Sequence, residues 1–504
     1  MNRSTHHRLV PAIVPVLVLG MVVGIAPAIA EDDAPLDLKK LFEEGIPRSP
    51  FIAAVYAYAD AMIEHGRDVH GPRTTGLLLS ALDRSSLSPL GDRPAAPAGV
   101  REETRPGRAG EALTGANPQL DQNILRLLLF LRSLSGNERY ERAAHDALRW
   151  FLEECPSRET GLLPWGASLS WDARTDEPIS GGGAAAPLHE LSGPWLLWST
   201  CFALSPDASA RAARAILARH AIDAGSGVFR AIAPFEPRGA RAIGPTPAGA
   251  REEGFLLRTW AEAFAHTGDA RFVSAAEAMV ERREGLVGDG ETGETGDPAA
   301  SLISLAIDAG GAARRLPEPL RSRLRRLAST LDRAFLAFPH DLPGKRGFCN
   351  VAPARGEDAS FTPLWDPTRG PTTAALGVLC GSRYQNTGRV EYRDLLVAAA
   401  DAYLDALPED DVDAWPLTFG QAIELELAAH RATSRAVYFE RAFALGELAL
   451  ERFFAGSPLP RASVRSEHYE STTGAPTLAL ALAELHLETL DITAVRAPAN
   501  TADR

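Results

Sequence analysis

A turn of the form small–Gly–x–x–x–aromatic recurs along this chain, each time between two stretches whose apolar residues follow helical spacing. It reads Ser135-Gly136-Asn137-Glu138-Arg139-Tyr140, Thr267-Gly268-Asp269-Ala270-Arg271-Phe272 and Thr387-Gly388-Arg389-Val390-Glu391-Tyr392, with a worn copy at Thr433-Ser434-Arg435-Ala436-Val437-Tyr438. Glycine there supplies the left-handed residue that ends one helix, and the aromatic ring anchors the first turn of the next. Recurrence of this kind marks an array of antiparallel helix pairs. Apolar spacing of three and four predicts helices near 51–65, 119–135, 140–155, 187–204, 207–221, 254–267 and 270–284. Further helices are predicted near 298–309, 317–337, 371–387, 391–407, 415–433, 437–454 and 474–488. No run of alternating strands stands out.

Connections alternate in length. Turns inside a pair span a few residues, whereas those between pairs run over about 156–186, 222–253, 338–370 and 455–473. Such alternation gathers short turns on one rim and long loops on the other. It predicts an all-α fold, an (α/α)6 or (α/α)7 toroid over residues 51–490, with long loops leading into an inner ring. The last helix would be the inner partner of the first. Residues from about 85 to 115, rich in Pro, Gly, Arg and Glu, read as a flexible insertion, and 285–297 as a second flexible stretch. Residues 31–50 form an N-terminal segment and 491–504 a disordered tail.

The start of the chain reads as an export signal over residues 1–30. Arg3, His6, His7 and Arg8 precede an apolar run from Leu9 to Ile25, and Ala28-Ile29-Ala30 offers a small-x-small cleavage site. An uncleaved anchor is the alternative, and the prolines Pro11, Pro15 and Pro27 favour cleavage. A periplasmic or secreted protein with no membrane attachment after signal removal is expected. The net charge of -13 argues against nucleic acid as a partner and makes capture of a polyanion depend on a local basic patch. Cys155, Cys201, Cys349 and Cys380 lie far apart without metal-ligand spacing, so neither a zinc site nor any other metal is expected. The helical positions of Cys201 and Cys380 suggest buried thiols.

Chemically capable residues concentrate on the long-loop rim. Trp165, Trp171, Trp195, Trp365 and Trp415 fall in those loops or at inner-helix starts. Their rings would suit the faces of sugars, or would pack loops onto the rim. Asp121-Gln122-Asn123 opens an inner helix, where Asp121 either caps it or faces the cavity. Asp172, His189 and Glu190 follow, and a histidine with an ordinary pKa of about 6.5 suits acid–base work as well as a structural role. In Arg251-Glu252-Glu253-Gly254 the two acids either raise one another's pKa or serve the helix dipole. Arg465-Ser466-Glu467-His468-Tyr469-Glu470 is the densest titratable cluster, offering a base in His468, an acid in Tyr469 and an anion anchor in Arg465, or a solvated loop. Asp366 and Arg369 add a carboxylate and a cation beside Trp365.

There is no P-loop, no Rossmann glycine motif, no HExxH, no EF-hand loop and no GxSxG elbow, and no cofactor is called for. The Gly-turn repeats and aromatic-rich loops, from about Phe51 to Leu487, resemble the six-hairpin glycosidase superfamily and the related (α/α)-toroid polysaccharide lyases. The stretch from Tyr58 to Asp68 also looks like one found in secreted bacterial proteins of this shape. The resemblance implies a carbohydrate-active enzyme working on a polysaccharide or oligosaccharide in a central funnel, and it carries over no catalytic residue. Hydrolysis would need two of Asp121, Asp172, Glu190, Glu252 and Glu253 to face one cavity. Alternatively, β-elimination on a uronate-containing glycan would draw on His189 or His468, Tyr469 and Arg465. An inert glycan-binding toroid is the non-enzymatic alternative. Gln122, Asn123, the five rim tryptophans, Arg369 and Arg465 are the expected substrate contacts. Oligomeric state is not legible.

Overall fold

The computed structural model describes residues 49–181, 187–236, 247–287, 298–351, 359–492 and 495–504. The export signal, all but the last two residues of the 31–50 segment, and residues 288–297 of the second flexible stretch lie outside the described residues.

Among the described residues the α-helices are α1 (Pro50–Glu64), α2 (Gln122–Ser135), α3 (Glu138–Glu153), α4 (Trp198–Leu204), α5 (Pro206–His220), α6 (Ala250–Thr267) and α7 (Ala270–Val287). They continue as α8 (Ala299–Ala312), α9 (Leu320–Leu336), α10 (Thr373–Thr387), α11 (Val390–Tyr403), α12 (Pro416–Thr433), α13 (Ala436–Phe454) and α14 (Ala475–Thr489). Their ends follow local chemistry. Ser49 and Thr372 accept hydrogen bonds from first-turn amides of α1 and α10. Gly136, Gly268 and Gly388 stop α2, α6 and α10 at φ 71°, 67° and 70°. Ser434 does the same for α12 at φ 56°, without glycine's freedom. The aromatic residue after each turn (Tyr140, Phe272, Tyr392, Tyr438) is buried, as anchoring requires.

Even-numbered helices form an inner ring and odd-numbered ones wrap it. Each inner helix packs on its sequence neighbour, and α6 on α8, α10 on α12, α12 on α14 and α14 on α2 line up the ring. Between α2 and α4 the loop closes the gap, with the Gln122 side chain bonded to Pro194 and Leu196. The last helix, α14, packs on the first, α1, so the toroid has seven hairpins. At that seam Gly446 of α13 allows contact so close that a Cβ would lie 2.6 Å from Leu485 and 2.9 Å from Phe51.

The long connections hold small sheets of two or three strands, the longest strands being Leu169–Asp172 and Glu177–Ser180. Such short strands leave no readable alternation. One sheet pairs Ala81–Asp83 with His468–Glu470. A strand at Leu188–Glu190 replaces the first part of the helix expected over 187–204, where Pro187 and Pro194 break helical hydrogen bonding. The stretch read as a flexible insertion is packed: Leu90 and Leu113 join Ala81 in a small core cluster, and Arg105 is buried. All four cysteines are free and buried. Residues 495–504, expected as a disordered tail, instead run inside the inner ring, bonded to α2, α8, α12 and α14. No helix among the described residues is long and apolar enough to cross a membrane.

Candidate active site in the bore

Polar residues recur at helical spacing on the faces that inner helices turn to the axis. On α12 they are Gln421, Glu424 and Arg431; on α14, Thr477 and Glu484. At the long-loop end of the bore lies a cleft of about 460 Å³, bordered by Arg251, Ser301, Asn350, Thr372, Trp415 and Gln421. Asn500, Asp503 and Arg504 complete its lining. A neighbouring recess of about 290 Å³ shares Trp415 and Asp503 and adds Asn123, Thr472 and Thr477.

Positive charge gathers here. Arg258 and Arg504 both reach Asp308, at 2.7 Å and 2.5 Å, while Arg251 lies beside Phe255 and bonds the Ser192 carbonyl. Arg126 bonds Asn123 and the Ala499 carbonyl, and burial pushes its guanidinium down to about 10, so it stays charged at neutral pH. The carboxyls opposite resist ionisation. Burial pushes Glu424 up to about 7, against a bond from the Asn500 amide, and raises Asp503 despite its Thr477 bond.

Of the residues singled out in the sequence, Asn123, Arg251 and Trp415 border these cavities. The rest are placed otherwise. Asp121 stands at the start of α2 without capping it; it is buried against Ser80 and Ser471, and burial raises it to about 6. Gln122 holds the α4 loop. Asp172 organises its own turn through Thr114, Arg174 and Thr175. Glu190 clamps Ala167 and Ser168. Glu252 accepts a hydrogen bond from the Gly249 amide at the head of α6 and pairs with Arg251, and Glu253 faces outward to Arg282 and Arg283 of α7. No two of the five candidate carboxylates share the cleft.

His189 is buried, and its Nδ1 lies 2.8 Å from Nε2 of His220, whose Nδ1 donates to the Arg230 carbonyl. With His220 donating from Nδ1, its Nε2 can accept from His189 Nδ1, so the chain needs no charge on either ring. Burial first, then the neighbouring imidazole, drives His189 well down; burial takes His220 to about 4. Trp165 stacks between His189, Trp195 and Trp198, a core cluster, and Trp171 is buried too. Trp365, packed on Tyr403 and Phe419, borders with Arg369 a different cleft of about 800 Å³.

In the 465–470 segment strand alternation separates the expected partners. Tyr469 turns to Tyr58, 2.9 Å away, while His468 and Glu470 turn to the buried Arg105, and exposed Arg465 bonds the Asp410 carbonyl. The base–acid–anchor grouping is thus not assembled. Sequence reading missed Arg126, Arg258, Asp308, Glu424, Asp503 and Arg504. For Arg126, Arg258, Asp308 and Glu424 a polar residue on the axial stripe of an otherwise apolar inner helix was the available signal; Asp503 and Arg504, outside any helix, offered none. Among the described residues no cluster of three or more His, Cys, Asp or Glu could hold a metal ion.

A family model described as periplasmic pectate lyase matches residues 106–225. Solved structures similar to the chain include a GH76 α-mannanase of Bacteroides thetaiotaomicron, at 8% identity over 88% of this chain and 98% of that one, TM-score 0.45. A cellobiose 2-epimerase from Spirochaeta thermophila shows 11% identity over 90% and 100%, TM-score 0.42. A D-mannose isomerase shows 10% identity over 91% and 100%, TM-score 0.40.

Proposed function

We propose that this protein is a carbohydrate-active enzyme that binds an acidic glycan at the long-loop end of the bore. One observation carries this reading. In a chain of net charge -13, the cleft is bordered by Arg251 and Arg504 with Arg258 and Arg126 close by, while its neighbouring carboxyls are held toward their neutral forms. Trp415 adds an apolar face of the kind sugar rings stack on.

The reaction favoured is β-elimination. A cation on the uronate carboxylate acidifies the C5 proton, which passes to water in the open cleft; the C–H electron pair forms the C4–C5 double bond, the C4–O bond breaks, and the leaving oxygen takes up a proton from the cleft's donor, which solvent then reprotonates. Arg251 is positioned as the cation. Asp503, kept protonated more readily than an ordinary carboxyl, is the proton source in the cleft. The match to the lyase family model supports the same choice. Hydrolysis by the five carboxylates expected from sequence lacks the facing pair it needs. The basic start, the apolar run and Ala28-Ile29-Ala30 support export to the periplasm.

The test is a panel of acidic and neutral polysaccharides, followed by the ultraviolet absorbance of the unsaturated product. Acidic glycans should be consumed with rising absorbance, and Arg251→Ala should lower kcat/KM by at least about tenfold, the loss of one charge-assisted contact. Turnover confined to neutral glycans, or an unaltered Arg251→Ala enzyme, would falsify the proposal. Binding of acidic glycan without product would identify an inert binder.

A further inference from the structure

Residues 495–504 lie in the bore like a peptide in a receptor, and each contact is specific. Near the short-turn end, Glu484 of α14 accepts bonds from the Ala497 amide at 2.6 Å and Arg496 at 3.3 Å. Midway, Arg126 of α2 donates to the Ala499 carbonyl at 2.8 Å, and Glu424 of α12 accepts from the Asn500 amide at 2.9 Å. At the long-loop end, Asp503 accepts from Thr477 at 2.5 Å and Asn123 at 3.2 Å, and Arg504 donates to Asp308 of α8. The segment therefore spans the inside of the ring and reaches the cleft.

Arg504 carries an unfilled valency. Its side chain is only 2% exposed, yet Nε and Nη1 have no hydrogen-bond partner, and the residue borders the cleft. Buried guanidinium donors left unpaired are costly, and either one can donate a charge-assisted hydrogen bond to a carboxylate oxygen. A bore closed at its foot cannot pass a polymer through. A ligand deep enough to reach Arg504 must present a chain end, since the middle of a chain would have to enter and leave by one mouth.

We infer that residues 495–504 are a fixed plug that makes the bore blind, and that Arg504, where this segment borders the cleft, receives the carboxylate of a terminal uronate. The second half rests on the acidic-glycan reading above. The plug half stands independently of it.

Ala481 gives the readout for the plug. It lies on α14 between Thr477 and Glu484, the two positions that hold the segment, and it is buried. In the full chain, Ala481→Cys should react with a maleimide at least tenfold more slowly than in the same variant lacking 495–504, with the parent's four native thiols as background. Equal labelling overturns the plug. Should the shortened chain fail to fold, Asn500→Pro in the full chain removes the Glu424 bond and should speed labelling in its place; no acceleration there likewise overturns it.

Chain-end selection is read by titrating Trp fluorescence with oligouronates. Uronate oligomers should bind with an affinity that stops rising after the first few units, and amidation of the terminal carboxylate alone should weaken binding at least tenfold. Arg504→Ala should abolish that difference. Equal binding of terminally amidated and free oligomers overturns the Arg504 assignment. No binding of any oligomer with position 481 still protected sinks the substrate reading and leaves the plug standing.

Discussion

Burial alone would push the Glu470 carboxyl up, yet bonds from His468 and Arg105 outweigh it and hold it at about 2. A carboxyl depressed below its ordinary 4.5 adds stability that is complete above that value and drains away as pH falls toward about 2. Glu470→Gln should flatten that acid limb. It also takes the buried counter-charge from Arg105, which keeps only the part-exposed Glu102 and the Pro94 carbonyl, so urea unfolding at pH 7 should show a loss of about 1–3 kcal/mol. A variant as stable as the parent would refute the account. Half of this cluster was legible: His468, Tyr469 and Glu470 stood out as a dense titratable run. Arg105 was not, because it lies 365 residues away in what composition marked as loose chain. Composition reports what a segment can solvate, and one buried guanidinium reverses its meaning.

The helix-stop turns make an internal experiment. Gly136, Gly268 and Gly388 take up left-handed backbone in open space, with nothing within 4 Å of an added Cβ. Ser434 takes the same conformation with a Cβ already in place, at φ 56°. Ser434→Gly should therefore raise stability by about 1 kcal/mol, and Gly388→Ala should lower it by a similar amount, both read by thermal unfolding. Changes of the same sign in the two variants would show that solvation or packing, not φ, rules these turns. Helices and turns were readable because both are local: a period of three or four, and one residue with special freedom. The tryptophans were not. Trp165, Trp171, Trp195 and Trp365 sit in loops, yet each is at most 5% exposed. A loop that folds back onto a ring buries its indoles without leaving any periodic trace.

Seven hairpins close only because the first helix borrows its inner partner from the far end of the chain. Counting the last helix as the inner partner of the first, as the sequence reading did, anticipated that pairing. What occupied the centre was not, because a segment inside a bore needs no period of its own and 495–504 looks polar and irregular. At the seam, Gly446→Ala should cost about 1–3 kcal/mol, as its methyl would intrude on Leu485 and Phe51 at 2.6 and 2.9 Å. Thermal unfolding measures it, and an unchanged Tm would mean the seam gives way freely.

The seam also dictates a timetable. Ser49 at the head of the first helix bonds His486 of the last, 437 residues on. At ribosomal speeds of roughly 5–20 residues per second, that partner emerges on the order of 20–90 s later. For most of that interval Phe51, hidden in the finished ring against Phe443 of α13, has no native mate. A nascent chain of this design must be sheltered while it waits, and a ribosome that stalls before the final helix releases a sticky, unclosable arc.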